Sequence, residues 1–146
     1  MPTYTISNSN LTIKPKLKKE IAKEVTNIHK SITGANAYFA QVIFNKTKNN
    51  SHFMGGKKVN DPQLFLHGQI RGGRSSEQKK KLIINLRDML VKKSKLDSSQ
   101  IWVYIIDLPS SQMVEYGEIL PEAGKEAQWF SNLSKKLKKK LKAIDS

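Results

Sequence analysis

Cysteine is absent from the 146-residue chain, which excludes disulfides, thiol nucleophiles and cysteine-bound metals. Apolar runs reach only about four residues, so no segment is expected to span a membrane. The N-terminus lacks a basic stretch followed by an apolar one, so no signal peptide is expected and the default is a soluble, cytoplasmic protein. No G-x-x-x-x-G-K-[ST] phosphate loop and no G-x-S-x-G occur, and Gly68-Gln69-Ile70-Arg71-Gly72-Gly73 is not G-x-G-x-x-G. His52 and His67 have no partner at metal-ligand spacing, so neither a metal nor a cofactor is expected. Acidic residues are few, 12 against 26 Lys and Arg, and arginine is scarcer still, with three against 23 lysines.

What is present is enough for one packed core. Hydrophobic residues make up 38% of the chain, too many for a disordered polypeptide, and the length suits a single domain over residues 1–146. The net charge of +14 keeps a polyanion in view as a partner. Six lysines crowd between Lys135 and Lys142, yet removing residues 133–146 still leaves +9, so the basic character is spread out. Lysine of this kind is ordinarily solvated helix surface, and a nucleic-acid reader usually adds arginine or exposed aromatics. In the tail, Leu137, Leu141 and Ile144 at 4,3 spacing suggest a short helix lying on the body or on a neighbouring subunit.

The pattern along the chain reads β-α-β twice. Thr3–Ser7 is a strand. Pro15 to Ile32 is a helix with Leu17, Ile21, Val25, Ile28 and Ile32 on one face, and Gly34 ends it. Tyr38–Phe44 reads as a second strand, and Asn49–Asn60 as a loop with a short hairpin. Leu64–Ile70 is a third strand, followed by the turn Arg71-Gly72-Gly73-Arg74. Ser75 or Ser76 caps a helix carrying Leu82, Ile83, Leu86, Met89 and Leu90, which ends near Ser94. Ile101–Ile106 is a fourth strand, Val114–Gly124 a loop or hairpin, and a short helical stretch includes Trp129. The halves, 1–62 and 63–132, repeat at an offset of about 62 residues, Pro2 to Leu64 and Val42 to Val103, with the lysine-rich tail 133–146 beyond them. The expected fold is α+β: two tandem β-α-β units, each crossing right-handed, forming a four-stranded sheet with two helices on one face. Ile101–Ile106 is apolar on both sides, and two helices cover only one, so another subunit is expected on the other face.

Several residues carry chemistry. An initiator methionine before a small residue is normally removed, so Pro2 is expected to begin the mature chain as a secondary amine able to serve as acid, base or nucleophile. Arg71 and Arg74, two of only three arginines, share one four-residue turn at a strand end and a helix start, where a planar fork can grip a carboxylate. His29 lies in the last turn of the first helix, Tyr104 on one face of an apolar strand, and Glu115 among apolar neighbours. Taken singly, each has an ordinary structural reading: a boundary histidine, a core tyrosine, a loop acid.

Together these residues resemble the tautomerase superfamily, and within it cis-3-chloroacrylic acid dehalogenase and its homologues. The likeness rests on Pro2-Thr3-Tyr4, Asn27-Ile28-His29-Lys30, Gln41-Val42-Ile43-Phe44, His67 to Arg74, Ile101-Trp102-Val103-Tyr104, Gln112 to Gly117, Leu120-Pro121 and Trp129-Phe130, with the lysine tail outside it. The resemblance implies a homotrimer needing no cofactor. It places catalytic roles on Pro2, His29, Tyr104 and Glu115, and carboxylate binding on Arg71, Arg74 and His29. The implied reaction is water addition to a small unsaturated carboxylic acid, as hydratase or dehalogenase. Keto–enol tautomerisation with Pro2 as base is the alternative. A basic nucleic-acid-binding protein and a scaffold without turnover are readings of other classes. The loop Thr33–Phe39 is expected to line the entrance.

Overall fold

A computed structural model describes residues 2–145. In chain order the elements are β1 (Thr3–Ser9), α1 (Pro15–Thr33), β2 (Gln41–Lys46), β3 (Phe53–Met54), β4 (Lys57–Lys58), β5 (Gln63–Arg71), α2 (Ser76–Ser94), β6 (Ile101–Leu108), β7 (Val114–Glu115), β8 (Glu118–Ile119), α3 (Glu126–Asn132) and α4 (Lys135–Asp145). The four long strands form one sheet in the order β2-β1-β5-β6. Each half contributes a parallel pair, β1 with β2 and β5 with β6, and the halves meet antiparallel along β1 and β5. This is the tandem β-α-β arrangement that the periodicity predicts.

The helix boundaries follow local chemistry. Pro15 opens α1 where a missing N–H costs nothing, and Gly34 closes it in a left-handed conformation, its N–H bonded to the Lys30 carbonyl at 2.8 Å. At α2, Ser75 is the cap: its hydroxyl accepts from the Gln78 N–H at 3.1 Å while the Gln78 side chain accepts from the Ser75 N–H at 3.0 Å. Both helices pack on one side of the sheet over Tyr4, Ile6, Ile21, Val25, Leu64, Leu66, Leu82, Leu86 and Leu90, all buried. The opposite side is bare. Trp102 is 41% exposed, Tyr104 51% and Ile106 47%, three alternate side chains of β6 with nothing over them.

One strand begins later than the periodicity predicts. Sheet pairing starts at Gln41, opposite Thr3, rather than at Tyr38. Residues Ala37–Phe39 instead make a tight helical turn that buries Tyr38 and Phe39 in a second apolar cluster with Ala35, Leu120, Leu133 and Leu141. The aromatic run that looks like a strand start belongs to this satellite core. The tail helix α4 lies on the body, as its spacing suggests. Leu141 is fully buried and Leu137 partly so, but Ile144 stays 49% exposed, so the packed stripe stops a turn short. Asp145 secures the end by accepting the Ala37 N–H at 2.6 Å. Among the described residues, no helix is long and apolar enough to cross a membrane.

Candidate active site

The site is built where β1 starts and β5 ends. Tyr4 on β1 faces Gly68 on β5. A Cβ at Gly68 would lie 2.6 Å from Tyr4 Cε1 and 2.7 Å from Ile105 Cδ1, so only a bare backbone lets the ring lie across the strand. The ring reaches α1, where the Tyr4 hydroxyl is 2.7 Å from His29 Nδ1. The amphipathic spacing of α1 brings His29 inward with Ile21 and Val25, leaving it only 3% exposed. Its other nitrogen, Nε2, is buried with no hydrogen-bond partner. Burial first, then the charges of Arg74 and the amino terminus, pull the His29 pKa down to about 3, so the imidazole is neutral. Burial raises the Tyr4 hydroxyl well above its ordinary value, against the pull of Arg74, so it keeps its proton.

The arginine turn closes the same end. Arg71 ends β5 and is 1% exposed, so it is a buried residue and not a solvated surface arginine. Its Nη1 donates to the Pro121 carbonyl at 2.6 Å and its Nη2 forms an ion pair with Glu126 at the start of α3. Burial opposes the Glu126 charge, but the hydrogen bond from Arg71 holds its carboxyl below the usual range. Gly73, at φ 100°, lets the backbone turn, and a Cβ there would sit 3.1 Å from that of Ala123. Arg74 is half-buried, its guanidinium pushed toward lower pKa by burial and by Arg71. The Nε atoms of both arginines are buried and unpartnered. The two arginines line a cleft of about 340 Å³ with Gly34, Asn36, Phe39 and Glu126, so the loop after α1 does form one wall. Thr33 bridges cleft and histidine, lining the first and donating to the His29 carbonyl at 2.8 Å.

Pro2 is buried at the same end of the sheet, just before β1 begins. Its carbonyl accepts the Gln41 N–H at 2.9 Å, and strand alternation puts it on the helix-facing side with Tyr4. Removal of the initiator methionine falls on a residue outside those described. Glu115 lies apart from the arginine cleft, on the hairpin β7–β8, whose turn residues Tyr116 and Gly117 both have positive φ, 56° and 84°. The Tyr116 hydroxyl donates to the Tyr38 carbonyl and ties the hairpin to the entrance loop. Glu115 lines a separate cavity of about 750 Å³ that also touches Thr3 and Gln41, the immediate neighbours of Pro2. Tyr104 is placed differently. It stands on the bare sheet face against Phe65, with β5 between its strand and β1. A single chain therefore gathers Pro2, His29, Arg71 and Arg74 at one end of the sheet, sets Glu115 in an adjoining cavity, and leaves Tyr104 outside.

Sequence reasoning did not single out Tyr4, Gly68 or Glu126. A glycine inside an otherwise regular strand was the available signal for the first two. Glu126 meets Arg71 across 55 residues of chain and had none. Among the described residues, no group of three or more His, Asp or Glu side chains gathers to hold a metal.

A family model described as "Putative oxalocrotonate tautomerase enzyme" matches residues 1–133. Among solved structures, the chain is similar to N1, a member of the cis-3-chloroacrylic acid dehalogenase family. The two are 31% identical with a TM-score of 0.91, over 97% of this chain and 99% of that one. So high a coverage leaves too little to omit the lysine-rich helix, which the sequence resemblance had left outside. The fold also matches a fused 4-OT symmetric trimer (17% identity, TM-score 0.72, 81% and 94% covered). A macrophage migration inhibitory factor-like protein from Entamoeba histolytica shares it too (19%, 0.64, 78% and 94%). No curated protein matches the chain. The fold and the match over nine-tenths of its length make the chain a member of the tautomerase superfamily, a superfamily of enzymes. Within that superfamily its likeness is to the cis-3-chloroacrylic acid dehalogenase family.

Proposed function

We propose that the protein adds water across the carbon–carbon multiple bond of a small unsaturated carboxylic acid, with Pro2 as the proton-transferring group. The observation that carries this reading is three buried side-chain nitrogens without hydrogen-bond partners, His29 Nε2, Arg71 Nε and Arg74 Nε, at the end of the sheet where the buried Pro2 precedes β1. Buried donors are normally satisfied, so a cluster of unmet ones is a site prepared for an anion. A carboxylate held there has its electron density drawn from the double bond. Glu115, from the cavity bordering Thr3, activates a water for attack on the β-carbon, and protonated Pro2 delivers a proton to the α-carbon. With a β-halogen, halide then leaves and an aldehyde acid forms; without one, the product is the hydrate.

The same reading makes the working protein a homotrimer. The bare face of β6 carries Trp102, Tyr104 and Ile106, and a second copy seated there covers it. Tyr104 then reaches a neighbour's Pro2 end rather than its own, and assists Glu115 in handling water.

Tautomerisation is the second reading, and one feature favours it. Pro2 is buried, and burial disfavours the charged form of an amine. A neutral Pro2 is a base, and the site then moves a proton between enol and keto forms. The test is turnover of 3-haloacrylates, acetylenic acids and phenylenolpyruvate by the wild type and Pro2→Ala, with the intact mass of the chain measured first. Loss of the initiator methionine and a strict need for Pro2 are expected. Turnover indifferent to Pro2→Ala overturns the reading, as does a retained methionine, which would make the proline nitrogen an amide. A rate that rises as the amine deprotonates selects the tautomerase. Salt-dependent nucleic-acid binding indifferent to Pro2 is the signature of the basic binding protein instead.

A further inference from the structure

The bond between Tyr4 and His29 has two possible directions, and the surroundings decide between them. If Nδ1–H donated to the phenol oxygen, the Tyr4 hydrogen would be left without an acceptor, because the hydroxyl makes no other hydrogen bond among the described residues and the residue is wholly buried. His29 Nε2 would also be left as a bare, buried acceptor. If the hydroxyl donates to Nδ1, the phenol and Nδ1 are both satisfied. The one group then unmet is an Nε2–H. One buried orphan costs less than two.

We propose that Tyr4 is a positioning residue whose hydroxyl fixes His29 in the Nε2–H tautomer, so that a neutral histidine presents a hydrogen-bond donor, rather than a lone pair, to the ligand's carboxylate. Three features of the fold hold this arrangement. Gly68 makes room for the Tyr4 ring, the edge-on contact between the two rings (centroids 5.8 Å apart) sets their angle, and burial first, with the charge of Arg74 second, keeps the imidazole uncharged. The titratable and charged groups acting on His29 are therefore Tyr4 from β1, Arg74 from the turn before α2, and the amino terminus. A neutral donor adds a directed hydrogen bond without a third positive charge beside two guanidinium groups, which leaves the arginines' own charges undiminished.

The identity of the ligand as a carboxylate rests on the function proposed above; the tautomer does not. The test is the two-bond proton–nitrogen correlation pattern of ¹⁵N-histidine in the whole protein, with His29 assigned by comparison with His29→Gln. The wild type should show a neutral His29 bearing its proton on Nε2 from about pH 5 to 8, a window set by the usual histidine range. Tyr4→Phe keeps the ring, and it should shift His29 toward a mixture of tautomers and weaken binding of acrylate by about three- to tenfold, the worth of one neutral hydrogen bond. An Nδ1–H tautomer in the wild type, or an unchanged pattern in Tyr4→Phe, overturns the proposal. The wild-type spectrum decides even if the variant does not fold. A pattern as expected, with no carboxylic acid bound or turned over, sustains the role of Tyr4 while the proposed reaction fails.

Discussion

The two ends of the central strand pair are built on one frame and filled in opposite ways. With the 62-residue offset, Tyr4 corresponds to Leu66, Ile6 to Gly68 and His29 to Val91. In the sheet Tyr4 faces Gly68 and Ile6 faces Leu66, so one cross-strand pair is the internal counterpart of the other. At the apolar end two mid-sized side chains share the space under the helices, both fully buried. At the polar end all of that volume goes to one residue. The tyrosine lies over a glycine and reaches a histidine where the other half has valine. Arg71 and Arg74 likewise correspond to Ser9 and Thr12. A polar site has been set into a repeated scaffold without a change of topology, by shifting volume across a single strand pair and placing arginine in one of two equivalent turns.

Substitutions at the two ends should therefore diverge. The largest effect belongs to Pro2→Ala, which is expected to lower kcat by about 10²- to 10⁴-fold on the best substrate of the panel while leaving the melting temperature nearly unchanged. Its counterpart, Leu64→Ala, should do the reverse, costing about 2–5 kcal/mol in urea unfolding because Leu64 is fully buried. Next comes Arg74→Ala, which should raise KM by about 10- to 100-fold through loss of a charge-assisted contact, measured by steady-state kinetics. Gly68→Ala should cost about 1–3 kcal/mol of stability, since its methyl group meets Tyr4 and Ile105 well inside contact distance. It should also displace Tyr4 from His29. Ile6→Val, at the equivalent position, should cost only about 0.5–1.5 kcal/mol and leave carboxylate binding alone. Equal effects of the last two on binding would break the comparison.

The ends also differ in pH response. His29 titrates at about 3 in the folded chain against 6.5 for an ordinary histidine, so between these values the unfolded chain binds the extra proton. The stability contributed by neutral His29 is fully present above pH 6.5 and is lost as pH falls toward 3. His29→Gln should flatten that part of the curve in urea titrations at several pH values. Val91→Ala, at the other end, should lower the whole curve without changing its slope there.

Much of this was legible because it is local. The periodicity of α1 and α2, the caps at Gly34 and Ser75, the turn at Arg71–Arg74 and the two-faced strand Ile101–Ile106 are each written within a few consecutive residues. The strand start at Tyr38 was misread because local pattern cannot distinguish an aromatic entering a sheet from one entering a satellite core. Tyr38 and Phe39 are claimed by Leu133 and Leu141, about a hundred residues away. The candidate site divides in the same way. Residue types marked Pro2, His29, Arg71, Arg74, Tyr104 and Glu115, and the fold places four of them together. The links that orient them, Tyr4 to His29 and Glu126 to Arg71, cross 25 and 55 residues and are invisible without the fold. The position of Tyr104 on an uncovered face adds a further dependence, because its role is defined only by an assembly.

The most direct test of the account is a crystal structure of the processed protein with acrylate or a 3-haloacrylate bound. The account predicts a carboxylate seated on Arg74 and His29 Nε2, the Pro2 ring nitrogen against the α-carbon, and Glu115 with a neighbouring copy's Tyr104 on the side of the β-carbon. A Pro2 nitrogen remote from both guanidinium groups in the assembled molecule, or a carboxylate bound away from them, would contradict it.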